Sequence, residues 1–111
     1  MAAFQHHPLH KACSEGDLSR VAELVHRKGQ YWKRWDEIYG GVTPLHVAAE
    51  QNYHEVCACL LAAGAKAEST DGAGFTPAFY AARRNNCEAL EALRLGGADF
   101  ELEVQRVIFS S

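Results

Sequence analysis

The chain has 111 residues, 48% of them hydrophobic and 23% charged, a balance that fits one globular domain rather than a disordered segment. A net charge of −3 gives no electrostatic case for nucleic acid or an anionic membrane, and no apolar run approaches the roughly 18 residues of a membrane span. Four cysteines lack framework spacing, and Met1 to Pro8 carry no charged and apolar regions of a secretory signal, so reduced thiols in the cytoplasm or nucleus are expected.

In chain order, Pro8 suits the first turn of a helix, where its missing N–H would have no partner anyway. Leu9, Ala12 and Cys13 give that short helix one apolar face. Gly16-Asp17 closes it, and Leu18, Val21, Ala22, Leu24 and Val25 predict a second amphipathic helix that ends at Gly29. The segment 30–40 follows, holding both tryptophans and two of the four tyrosines. Tyr31, Trp35 and Tyr39 are spaced four apart there, which fits an extra helical turn. A helix is expected from Pro44 and another over His54 to Leu61, with Val56, Cys57, Cys59, Leu60 and Leu61 apolar. Asn52 between them tolerates the left-handed conformation that ends a helix. Asp71-Gly72-Ala73-Gly74 predicts a tight turn, then a helix from Pro77, Asn85 in the place of Asn52, and a last helix lined by Ala89, Leu90, Ala92 and Leu93. After Gly96-Gly97, Phe100 to Gln105 alternate apolar and polar and Val107-Ile108-Phe109 follow, which reads as a strand-like or adherent cap on the last apolar face.

One block recurs. Thr43-Pro44-Leu45-His46-Val47-Ala48-Ala49 returns as Thr76-Pro77-Ala78-Phe79-Tyr80-Ala81-Ala82, and in worn form as His7-Pro8-Leu9-His10-Lys11-Ala12-Cys13. Pro8 to Pro44 is a step of 36 residues and Pro44 to Pro77 a step of 33, the extra three falling in the aromatic segment. A fixed period of this size marks stacked repeats, and Thr-Pro-Leu-His-x-Ala resembles the ankyrin repeat, whose period is about 33 residues. The resemblance spans roughly residues 6 to 102. It implies an all-α solenoid of three helix–turn–helix units with turn fingers, as one domain over 1–111 with repeats at about 6–29, 41–67 and 74–102, an aromatic finger at 30–40 and a short tail at 103–111.

The resemblance further implies a non-catalytic module that binds a protein partner through the turn fingers and the outer face of each first helix. Carried over position by position, the outward residues are Lys11, Ser14 and Glu15; Val42, Val47, Glu50, Gln51 and Tyr53; and Ala73, Phe75, Tyr80, Arg83, Arg84 and Asn86. From these and the finger, the expected partner-binding set is Trp35, Tyr39, Val42, Val47, Phe75, Tyr80, Arg83 and Arg84, because aromatics and arginine are enriched at binding hot spots. In the competing reading Trp32, Trp35, Ile38 and Tyr39 only roof the first junction, and Phe75 and Tyr80 pack against the tail. A monomer is expected, with no cofactor, nucleic acid or membrane as partner.

Small proteins of this family also include kinase inhibitors and substrate-recruiting modules of ubiquitin ligases, and the abrupt apolar ending leaves room for a truncated form of a longer array. A different class is metal or redox response, through His6, His10 and Cys13 or through His54, Cys57 and Cys59. Neither set has the paired spacing of a structural zinc site. The resemblance assigns His10 and His46 to hydrogen bonds within and between repeats, and the thiols fall on apolar positions, where cysteine acts as a small hydrophobe. No nucleophile is expected to meet a base and an orienting group. Glu68 and Glu101 stand where the family's hydroxylated asparagine would be, so that modification is not expected.

Overall fold

The computed structural model describes residues 8–28 and 40–97. These residues form α1 (Pro8–Glu15), α2 (Leu18–Lys28), α3 (Pro44–Glu50), α4 (His54–Ala62), α5 (Pro77–Arg83) and α6 (Cys87–Leu95). Proline opens α1, α3 and α5, as the sequence predicts. The aromatic segment around Trp35 and Tyr39, and the tail 103–111, lie outside the described residues.

Helices this short would be marginal in water by themselves, so packing must hold them. Local chemistry sets where they begin. Thr43 and Thr76 are extended, and their side chains accept from the N–H of His46 and Phe79. This satisfies donors that a helix start would leave open. Each inter-helix turn then needs a left-handed residue: Gly16 has φ 71°, Asn52 61° and Asn85 59°. Asparagine is the side chain that reaches this conformation most readily after glycine.

The helices stack in two layers. The first helices α1, α3 and α5 pack side by side, the second helices α2, α4 and α6 do the same behind them, and each pair closes on itself. The core runs between the layers through Leu9, Val21, Leu45, Val56, Leu60 and Leu93. The helix α3 has neighbours on both sides and α4 behind it, so all its residues from Pro44 to Ala49 are buried.

Candidate interaction surface

Histidine joins each repeat to the next. In α3 the His46 ring is fully buried. Its Nδ1 accepts from the Thr43 N–H at 3.2 Å, completing a reciprocal cap, and lies 2.9 Å from the Thr43 hydroxyl. That acceptor role assigns the ring proton to Nε2, which donates to the carbonyl of Phe75 at 2.8 Å. His10 Nε2 meets the Val42 carbonyl at 2.9 Å in the corresponding place one repeat earlier. Burial lowers the His46 pKa against the opposing pull of the Phe75 carbonyl and Asp71. Geometry agrees, since a proton on Nδ1 would face the Thr43 N–H.

The turn before α5 is built on Asp71. Its Oδ1 accepts from the N–H groups of Ala73 and Phe75, both at 2.9 Å, and its own N–H donates to the Phe75 carbonyl at 2.9 Å. The Tyr80 hydroxyl donates to Oδ2. Burial alone would raise the Asp71 carboxyl, but these bonds, Tyr80 foremost, hold it below its ordinary value. Burial and then the bond to Asp71 push Tyr80 up to about 12. Neighbouring turns meet backbone to backbone, the Gly72 N–H donating to the Gly40 carbonyl at 2.6 Å. A Cβ on Gly41 would stand 3.0 Å from the Asp71 Cα, and φ there is 83°, so glycine is required twice over.

Around this turn the half-buried rings of Phe75 and Phe79 stack at 4.3 Å between centroids, and Tyr80 meets His46 edge-on at 4.8 Å. The Arg83 guanidinium lies 4.7 Å from the Tyr80 ring centre and 5.8 Å from that of Phe79, while its Nη2 pairs with Glu50 Oε2 at 2.7 Å. Arg84 beside it is exposed. Phe75, Tyr80 and Arg83 thus come together, with Phe79 as a member that position-by-position reasoning passed over. Its signal was visible, since Phe79 takes the place of the histidine of the other two blocks.

Other expected surface residues lie elsewhere. Val47 is only 8% exposed, because the central helix α3 is enclosed on both sides. Val42 is half-buried against the core, and Trp35 and Tyr39 lie outside the described residues. Tyr53 is not outward; its ring packs on Gly16. Nor is Asn86 a free surface residue. Its Nδ2 donates to the carbonyls of Ala49 and Glu50, each at 2.8 Å, closing the end of α3. Asn52 also works across the junction, accepting from the Ala89 N–H at 3.0 Å and donating to Glu88 at 2.9 Å.

Cys13 and Cys57 are buried, as their apolar positions predict, Cys59 is half-buried and Cys87 exposed. Burial pushes the Cys57 thiol up to about 12 and Cys13 further in the same direction, the reverse of what a reactive thiolate needs. Among the described residues no three His, Cys, Asp or Glu side chains come together as a metal site, and no helix is long and apolar enough to cross a membrane.

The family model for ankyrin repeats in three copies matches residues 9–103. The chain belongs to the ankyrin repeat family. A curated relative, the probable 26S proteasome regulatory subunit p28 of Saccharomyces cerevisiae, is 32% identical over 93 residues, covering 78% of this chain and 39% of the relative. Among solved structures, the human ASB11 ankyrin repeat domain superposes with a TM-score of 0.72 at 24% identity, over 83% of this chain and 40% of that one. A chain in the complex of the Bdellovibrio bacteriovorus predatory endopeptidase Bd0816 with immunity protein Bd3460 gives 0.74 at 28% identity, over 85% of this chain and 48% of that one. This ankyrin chain therefore spans less than half the length of the proteins it matches. Ankyrin repeats are in general protein–protein interaction modules.

Proposed function

We propose that this protein is a non-catalytic ankyrin module of the cytoplasm or nucleus, monomeric, that binds a protein partner through its turn fingers and first-helix face. The observation that carries this reading is the aromatic group Phe75, Phe79 and Tyr80, only half-buried, beside the arginine pair Arg83-Arg84. Aromatic rings with arginine at their edge are the side-chain types that supply most binding energy at interfaces. The Asp71 bonds hold the turn in one shape before binding, which lowers the ordering cost of association. Arg83 is already held by Glu50, so Arg84 is the cation that meets an acidic group on the partner. The relative described as a probable 26S proteasome regulatory subunit agrees in kind with a module that docks within a larger assembly.

The test uses the whole chain as bait, with captured proteins quantified for the natural sequence, Phe75→Ala and Arg84→Glu. A partner should be retained by the natural chain and lost by Phe75→Ala, whose affinity should fall by about 2 kcal/mol, or thirtyfold. Arg84→Glu should mainly slow association, as a rim charge does. Equal capture by all three, with unchanged melting, would show that this face is not the site.

A further inference from the structure

The second-helix layer has a groove of its own, on the side away from the aromatic group. Between α4 and α6 lies a trough of about 350 Å³, lined by Ala58, Ala92 and Leu95, by the carboxylates of Glu55, Glu88 and Glu91, and by His54. Leu95 is 73% exposed, the one large hydrophobic side chain so exposed among the described residues. Alanine at 58 and 92 leaves space where longer side chains would fill the furrow. The three acids stand on neighbouring turns of the two helices. Glu88 is held by the Asn52 amide at 2.9 Å, and that bond keeps its carboxyl below the ordinary value. Glu91 pairs with Arg94 one turn on, whereas Glu55, in the first turn of α4, has no such partner among the described residues. Three carboxylates against one guanidinium and the single imidazole of His54 leave the rim negative.

We propose that this groove is a second docking surface, taking a basic amphipathic helix of another protein. A leucine-sized side chain of that helix enters between Ala58 and Ala92 beside Leu95, and lysines or arginines one turn away meet Glu55, Glu88 and Glu91. Helix-in-groove binding of this kind reads apolar anchors at helical spacing. Charge selects the occupant: a second copy would bring the same acidic rim against itself, which costs rather than gains.

The probe is a fluorescent synthetic helix of leucine and lysine with its leucines on one face, titrated into the whole chain and followed by anisotropy and by amide chemical shifts. Controls are the same residues scrambled off one face, and the leucine–glutamate counterpart. The amphipathic basic helix should bind at least about tenfold tighter than either control, with shifts centred on Ala58, Ala92 and Leu95. Leu95→Lys and Glu55→Lys should each weaken it about tenfold, since both sites are exposed and leave the core intact, while Phe75→Ala leaves it unchanged. Failure of the aromatic face to bind a partner would not touch this result. Equal binding of the scrambled helix, or shifts on the first-helix layer, would overturn the proposal. So would self-association abolished by Leu95→Lys, which would make a second copy the occupant. A melting temperature lowered by many degrees in Leu95→Lys would show that the chain covers the groove itself, and would overturn it too.

Discussion

Replacing His46 by phenylalanine gives α3 the residue that α5 carries naturally at Phe79, at similar volume and with no hydrogen-bonding atom. Three contacts go: the Thr43 N–H loses its acceptor at 3.2 Å, the Thr43 hydroxyl its ring neighbour at 2.9 Å, and the Phe75 carbonyl its donor at 2.8 Å. The losses are unequal. Phe75 still accepts from the Asp71 N–H at 2.9 Å, so its share is that of an ordinary hydrogen bond, about 0.5–1.5 kcal/mol. The Thr43 N–H sits in a buried residue and is left without its partner, which costs about 1–3 kcal/mol. With little cavity to add, the total is about 2–4 kcal/mol, a large part of the 5–15 kcal/mol of a typical domain. The histidine also leaves a mark on pH dependence. Its folded pKa lies below the ordinary 6.5, so the unfolded chain takes up the proton first as pH falls. Stability from this group is therefore complete above pH 6.5 and declines below it, by at most about 1.4 kcal/mol per pH unit, until the folded pKa is passed. Urea denaturation between pH 7.5 and 5 should show natural chain and His46→Phe differing at neutral pH and converging in acid. A loss under about 0.5 kcal/mol, or parallel pH curves, would refute the assigned bonds.

Other outcomes are expected on the same grounds. Leu60, fully buried on α4, should cost about 2–5 kcal/mol when cut to alanine, read by urea denaturation. Gly16→Ala meets both a φ of 71° and the Tyr53 ring at 2.9 Å, so it should cost more than the about 1–2 kcal/mol of the backbone alone; Tyr53→Ala in the same chain should recover the excess in a double-mutant cycle. Asn86→Ala removes two bonds to the end of α3 and should lower stability by about 1–3 kcal/mol in thermal melts, whereas Arg84→Ala, at an exposed position, should stay within about 0.5 kcal/mol.

Periodicity carried most of the fold. A threonine that caps, a proline that fits the first turn and an asparagine that bends left-handed are local devices, and each is readable where it stands. The helix starts at Pro8, Pro44 and Pro77 follow from them. What the sequence did not show is which copies of a position end up enclosed. Val47 and Tyr80 occupy the same place in their blocks, yet Val47 lies in a helix with a neighbour on each side and Tyr80 stays half-buried. Asn86 and Tyr53 likewise share a position and looked outward by rule. Their partners, Ala49 and Glu50 for one and Gly16 for the other, are more than thirty residues away, and nothing local announces such pairs. The aromatic group is half legible in the sequence: Phe75 and Tyr80 are expected together, while Phe79 is announced only by the histidine missing from its block.

Among the described residues the two seams of the stack differ in kind, and temperature tells them apart. Between the second and third repeats the joints are polar: His46 to Phe75, Asn86 to two carbonyls, Asn52 to Ala89, Arg83 to Glu50. Between the first and second, Gly16 stands in the place of Asn52 and the Tyr53 ring in that of Asn86, so the amide contacts give way to a ring packed on a glycine beside the His10 bond. Apolar contact weakens on cooling, whereas hydrogen bonds of this sort do not share that heat-capacity signature. Chilling the protein towards freezing should therefore loosen α1 and α2 from the rest before it disturbs the joint between α3–α4 and α5–α6, and mild warming from that point should tighten them again.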